Sequence, residues 1–233
     1  MPEIDSRKLR SYYDRFYKEG DFRYYSEELS TTMLRTLLEK LRLQPGSSIL
    51  DVGCGTGYYA ELLSKLGMRT TGVDVSISGL HKARMRYTAL PLVCGDANLL
   101  PFRKEEFSAA FLFGCSLMNT ANNLHMYRLL SESAFLVRAG GWIVATSSSD
   151  FSGKTKGGWL QHLPDDFRRV TRMFGESRSF LWITHPRLFA LRGLALHRLV
   201  QTLLRLTPLR FPRMIICAIQ KPEAGSSENW ENS

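Results

Sequence analysis

Three aspartates stand where a carboxylate could grip a ligand. Asp51 opens the stretch "DVGCGTG" (51–57), which carries Gly53, Gly55 and Gly57; Asp74 closes "TTGVD" (70–74); Asp96 closes "LPLVCGD" (90–96). A glycine-rich turn between a strand and a helix usually cradles phosphate with its backbone N–H groups. Here an acid precedes the first glycine, and a diphosphate would be repelled. The dinucleotide fingerprint also needs a glycine at the last place of Gly-x-Gly-x-x-Gly, where this chain has Tyr58. The Gly-x-Gly-x-Gly spacing makes a tighter turn, and the acid beside it suits a cationic group such as the ammonium of an amino acid. Asp74, about twenty residues on, suits both hydroxyls of a ribose. Asp96 suits an exocyclic amine of a base. Any one of the three could merely cap the helix that follows it. Three at successive strand ends point to a ligand instead.

Such carboxylates converge only if the elements that carry them lie side by side. Apolar runs read as strands at 47–52, 68–75, 90–96, 107–114 and, after a Gly-Gly break, 140–148; apolar residues three and four apart read as helices at 58–66, 78–87 and 123–138. This alternation implies parallel strands, right-handed crossovers and an α/β, doubly wound sheet with helices on both faces. Ligands then bind at the carboxyl ends of the strands, where the stretches 51–57, 74–76, 96–98 and 114–120 all fall. With 233 residues, 44% hydrophobic and 23% charged, the chain has enough apolar surface for a well-buried core. Cys54, Cys94, Cys115 and Cys217 form no Cys-x-x-Cys pair, so a reduced protein with no metal site is expected. The first residues mix acids, bases and aromatics without an apolar leader, and no apolar run reaches the ~18 residues of a membrane span. A cytoplasmic protein is expected.

The stretches "ILDVGCGTGYYAELL", "GVDVS", "GDANLLPF" and "LVRAGGWIVATS" resemble the successive motifs of the class I S-adenosylmethionine-dependent methyltransferases of the small-molecule type. The likeness spans residues 45–148. It implies a Rossmann-like, mostly parallel seven-stranded sheet with an antiparallel final strand, for which "RMIICAIQKP" (213–222) is the candidate. It implies S-adenosyl-L-methionine as cofactor and S-adenosyl-L-homocysteine as product. Asp51, Gly53 and Gly55 would then hold the methionine moiety, Asp74 the ribose, and Asp96 with Ala97 the adenine. Gly114 would touch the cofactor at the end of the fourth strand, and Cys54 and Val75 complete the binding set. An N-terminal aromatic, Tyr12 or Tyr13, would fold over the cofactor. On this reading the chain divides into a helical segment over the cofactor site (1–46), a cofactor-binding core (47–148), an acceptor-site cap with the last strands (149–222) and a flexible tail (223–233).

Methyl transfer asks little of side chains. A sulfonium already activates its methyl group, so the protein mainly aligns nucleophile, carbon and sulfur, which is worth on the order of 7–11 kcal/mol. A general base is needed only for an acceptor that is protonated at neutral pH. The candidates are His125, His162 and Tyr13, each of which also reads as a structural residue. After the fourth strand the chain reads "GCSLMNTANN", without the histidine pairs of many small-molecule members or the Asn/Asp-Pro-Pro-aromatic grip on a nucleobase amine. The acceptor expected is therefore a small or lipid-like molecule methylated at oxygen, nitrogen or carbon. An RNA methyltransferase and a non-catalytic S-adenosylmethionine-binding partner subunit are the alternatives.

Charge adds a further expectation. The net charge is +9, and from Ser177 to Pro222 no acidic residue occurs. Thr184 and Pro186 mark a helix start, followed by Leu188, Leu191, Ala195, Leu199, Thr202, Leu203 and Leu206 at helical spacing. The segment reads as an amphipathic helix on the sheet, partly as an edge strand, or as a peripheral contact with an anionic membrane through 177–222. Nucleic acid ranks behind these, because aromatics for base stacking are sparse among the arginines.

Overall fold

A computed structural model of the chain describes residues 6–21, 26–120, 123–149, 154–156, 159–160, 164–183 and 213–223. Two helices, α1 (Ser6–Glu19) and α2 (Glu27–Lys40), lead into β1 (Ser48–Val52), α3 (Tyr58–Lys65), β2 (Arg69–Asp74), α4 (Ile77–Arg86) and β3 (Leu92–Cys94). Then follow β4 (Phe107–Leu112), α5 (Asn123–Leu136), β5 (Val137–Ser149), a small hairpin of β6 (Thr155–Lys156) and β7 (Trp159–Leu160), α6 (Pro164–Thr171), β8 (Glu176–Ile183) and β9 (Arg213–Gln220). One sheet runs in the order β3-β2-β1-β4-β5-β9-β8. Pairing is parallel from β3 through β5, and β9 lies antiparallel between β5 and β8. This is the doubly wound, mostly parallel sheet with an antiparallel final strand that the motifs imply. The chain order reverses between β1 and β4, which makes a crevice at their carboxyl ends.

The two-residue period of the strands builds a core on each face. Leu50, Ala110, Leu112, Ile143, Ile215 and Cys217 join one buried cluster. Their neighbours Ile49, Ala109, Phe111, Val144, Ile216 and Ala218 join the other, with Met33, Leu34, Leu37 and Leu38 of α2. The inner strands are apolar on both sides because helices cover both faces. Caps fix the helix starts. The Ser26 side chain accepts from Leu29 N (3.4 Å) at α2, and the Ser76 hydroxyl accepts from Gly79 N (3.1 Å) at α4.

α1 and α4 run side by side in the same direction. Arg10 Nε donates to Val75 O (3.0 Å), and Asp14 accepts from Ser76 Oγ (2.7 Å) and Ser78 N (2.9 Å). Further along, Lys82 Nζ donates to Gly20 O (2.7 Å) and Arg86 pairs with Asp21 (2.5 Å).

Two expected boundaries shift. α5 ends at Leu136 rather than 138, and β5 begins at Val137 rather than after the Gly-Gly pair. The glycines sit inside the strand as an irregularity. Phe107 pairs with Val137 while Ala109 pairs with Trp142, and Gly140, at φ 70°, donates to Lys221 O (3.1 Å). A side chain at Gly141 would strike Ser108 O and Arg138 O, so the pair permits a bulge rather than a break. The penultimate strand, left unplaced by the motifs, is β8, which forms the sheet edge at the start of the acid-free segment. The helix expected over 188–206 lies outside the described residues, as does the tail beyond 223. Among the described residues no helix is long and apolar enough to cross a membrane.

Candidate functional site

At the carboxyl ends of β1, β2 and β4 lies a cavity of about 470 Å³, within the roughly 300–1,000 Å³ of small-ligand sites. Its floor is the turn after β1. Gly53 N and Cys54 N both donate to Val73 O (2.8 and 3.1 Å), which ties this turn to β2. Asp51, Gly53, Cys54, Asp74, Val75, Asp96, Ala97, Gly114 and Tyr13 all line the cavity. Gly55 does not. It sits behind Asp74, at φ 54°, and its N–H donates to Asp74 Oδ2 (2.8 Å). A side chain there would run into the Tyr17 hydroxyl, so glycine is required both for the backbone angle and for the close approach of α1.

The two carboxylates on adjacent strands differ in their support. Asp74 is 9% exposed; one oxygen accepts from Gly55 N and the other from Ser76 N (both 2.8 Å). Burial still raises its pKa above the usual carboxylate value. Asp51 is 1% exposed, and neither oxygen has a hydrogen-bond partner among the described residues. Burial, then the nearby charge of Asp74, pushes its pKa up to about 7, opposed by the Ala60 backbone. Two buried acids sharing one cavity call for a cation. Asp96 turns the chain after β3, with Oδ1 accepting from Asn98 N (2.9 Å) and Asn98 Nδ2 (3.0 Å).

The opposite wall is α1, whose Leu9, Tyr12, Tyr13, Phe16 and Tyr17 face the cavity. Tyr13 and Tyr17 have ring centroids 6.2 Å apart, and Phe16 meets Tyr17 edge-on at 5.2 Å. Burial lifts the Tyr13 phenol to about 12, opposed by a hydrogen bond with Ser116. It is a neutral donor at physiological pH, not a base. The Cys115 thiol also rises to about 12 through burial. Gly114, at φ 64°, donates to Thr146 Oγ1 (3.0 Å) and leaves open space where a side chain would project.

Of the other catalytic candidates, His125 is buried in α5 at 3% exposure and is not among the residues that line the cavity. His162 lies outside the described residues. Sequence reasoning missed Phe16, Tyr17 and Thr146, and placed Cys115 and Ser116 on the ligand rim only as part of the stretch 114–120, without singling them out. The first two could have been found from the three-and-four spacing of Leu9, Tyr13, Phe16 and Tyr17. Cys115 and Ser116 follow β4 and Thr146 lies within β5, none of them in a motif of its own.

Comparison with known proteins points the same way. Residues 49–141 match the family "Methyltransferase domain", and residues 8–88 match the protein-L-isoaspartate(D-aspartate) O-methyltransferase family. An uncharacterized protein of Methanocaldococcus jannaschii is 27% identical over 70% of this chain and 59% of its own length. A malonyl-[acyl-carrier protein] O-methyltransferase of Serratia marcescens is 30% identical over 54% of this chain and 45% of its own. A demethylmenaquinone methyltransferase of Renibacterium salmoninarum is 28% identical over 53% and 49%. The chain thus spans about half the length of the curated relatives it matches. Among solved structures, the [4+2]-cyclase SpnF superimposes with a TM-score of 0.62 at 19% identity, covering 96% of this chain and 99% of that one. A SAM-dependent methyltransferase from Archaeoglobus fulgidus gives 0.62 at 17% identity, covering 93% and 100%. The motifs lie in order on this sheet with acids at its strand ends, and the chain is similar to the class I S-adenosylmethionine-dependent methyltransferases, with a match to their methyltransferase domain over residues 49–141.

Proposed function

We propose that the protein transfers a methyl group from S-adenosylmethionine to an oxygen, nitrogen or carbon atom of a small or lipid-like acceptor. The carrying observation is Asp51, a buried carboxylate with both oxygens unpartnered among the described residues and a second buried acid nearby. An unpaired buried charge is costly, and a cationic ligand group removes that cost. Asp51 would take the ammonium of the cofactor, Asp74 the ribose hydroxyls through lone pairs left by its two backbone bonds, and Asp96 with Ala97 the adenine. Bound there, the cofactor supplies a methyl group activated by a sulfonium.

The chain contributes alignment and exclusion of water. The aromatic wall of α1 covers the cavity, and Gly114 keeps the backbone clear at the end of β4. Tyr13 and Cys115 hold their protons at neutral pH, which favours an acceptor that is nucleophilic as it stands or acidic in its own right. The relatives named for malonyl-[acyl-carrier protein] and demethylmenaquinone support a small or lipid-like acceptor.

Calorimetry with S-adenosylhomocysteine, followed by labelled methyl donor with metabolite and lipid extracts and mass spectrometry of the products, tests this. We expect one cofactor per chain and a methylated small or lipid-soluble product. Failure to bind the cofactor, or tighter binding of NAD, overturns the cofactor reading. Label that appears only in RNA overturns the acceptor class.

A further inference from the structure

The paired helices α1 and α4 carry an outer face that the cavity does not use. On α4, Ile77, His81 and Met85 repeat every four residues on the side away from the buried Gly79, Leu80 and Ala83. Ile77 is 58% exposed and Met85 72%. Leu99, in the loop after β3 where the cavity is lined by Asp96 and Ala97, is 77% exposed. Tyr12 of α1 is 56% exposed and lines the cavity as well, so it stands on both sides of that helix. Large apolar side chains this open, on the helix and the loop that follow β2 and β3, mark an interaction surface.

Charge says what kind. α1 carries Arg7, Lys8, Arg10, Arg15 and Lys18 against Asp14 and Glu19, and α4 carries Lys82, Arg84 and Arg86 with no acid. Two acids at this seam are engaged, while Glu19 at the end of α1 is exposed. Asp14 accepts from Ser76 and Ser78 at the start of α4, and Asp21 pairs with Arg86. Lys8, Arg15 and Arg84 remain exposed on the outside. Two helices lying flat, basic along their length and studded with Tyr, Ile, Met and Leu, match an anionic lipid surface: basic heads meet phosphates while apolar side chains enter the acyl boundary. Single-stranded RNA would call for a row of stacking aromatics, whereas of the outward residues of α4 and the loop after β3 only His81 has a ring, beside Ile77, Met85 and Leu99.

We propose that the outer face of α1 and α4, with Leu99, docks on an anionic bilayer and brings the cavity mouth to the membrane interface, where a lipid-like acceptor enters past Tyr12. The entry step rests on the acceptor reading above; the docking surface does not. It is also distinct from the segment 177–222, most of which lies outside the described residues.

Co-sedimentation with phosphatidylglycerol vesicles and with phosphatidylcholine vesicles, without methyl donor, reads docking alone. Binding is expected to the first and not the second, and to weaken from low to physiological salt. Lys8→Gln/Arg15→Gln/Arg84→Gln should reduce partitioning by about a hundredfold, each basic contact being worth roughly fivefold. Ile77→Ser/Met85→Ser/Leu99→Ser should reduce it comparably while leaving binding of S-adenosylhomocysteine unchanged, since none of these six lines the cavity. A protein that stays in the supernatant at low salt overturns docking. So does vesicle binding that neither triple variant weakens, or a structured RNA that displaces the vesicles through the same residues. Methylation of a lipid-soluble acceptor dispersed in detergent tests the acceptor reading separately.

Discussion

The ends of β1 and β2 are neighbours in the sheet and each finishes in an aspartate, yet the two sites are built in opposite ways. Asp74 is held on both oxygens by backbone N–H groups of the turn it completes. Asp51 is more deeply buried and held by none among the described residues. The first is part of the scaffold and presents lone pairs in a fixed direction. The second is a charge in waiting, uncomfortable until a cation arrives. A binding site can thus be preorganised at one strand end and left strained at the next, with the ligand completing the second.

Four substitutions and one titration can break or sharpen this contrast. The largest effect is expected at Gly55, whose N–H supports Asp74 while Tyr17 leans on its α-carbon. Gly55→Val should cost about 3 kcal/mol or more of stability through steric clash and a disfavoured backbone angle. An unchanged melting midpoint would show that α1 yields freely. Next, Asp74→Ala should lose about 2–3 kcal/mol of cofactor binding, since hydrogen bonds to a charged group are worth roughly 1.5–3 kcal/mol. It should also melt earlier, because two N–H groups lose their acceptor. Affinity within about threefold of the parent would remove Asp74 from the ribose role.

Asp51→Asn should behave differently. Cofactor affinity falls by about tenfold, or about 1.4 kcal/mol, but the unliganded protein is no less stable, because an unpaired buried charge has gone. A clear loss of stability would mean that Asp51 has a structural partner after all. The titration follows from the same residue. Its pKa stands near 7 in the unliganded protein, and a bound ammonium favours the ionised form, so binding must expel a proton below that pH. Affinity should therefore rise as pH climbs toward 7, and calorimetry near pH 6 in two buffers of different ionisation enthalpy should show proton release that Asp51→Asn abolishes. The smallest effect is expected for Tyr13→Phe, which removes one neutral hydroxyl and should slow turnover only a few-fold. A loss of about 10³-fold would instead assign Tyr13 an acid–base part.

Much of this site was legible in the sequence because strand ends announce themselves. The apolar runs that stop at Asp51, Asp74 and Asp96 placed three acids on one rim without any knowledge of the angles between strands. The pairing of carboxylates with backbone was not legible. Nothing in "GVDVS" says that Asp74 is supported by Gly55 from another strand end, because that depends on how two turns nest. The start of β5 was misread for a related reason. Two adjacent glycines signal an interruption in local terms, whereas here they fit a bulge beneath Ser108 and Lys221. The edge strand β8 was legible only in part: the basic stretch reads partly as an edge strand, but the bounds of that strand were not legible, because the same stretch reads as helix further on.

Asp14 has a consequence for traffic through the site. By accepting from Ser76 and Ser78, it lets a residue of α1 serve as part of the cap of α4. The wall of the cavity cannot swing away without leaving that first turn with unmet donors, so ligand exchange and fraying of α4 become one event. Amide hydrogen exchange at Ser78 then acts as a clock for opening. The amide should exchange slowly when the site is filled, faster when it is empty, and fastest in Asp14→Ala, where the latch is gone whatever the cavity holds.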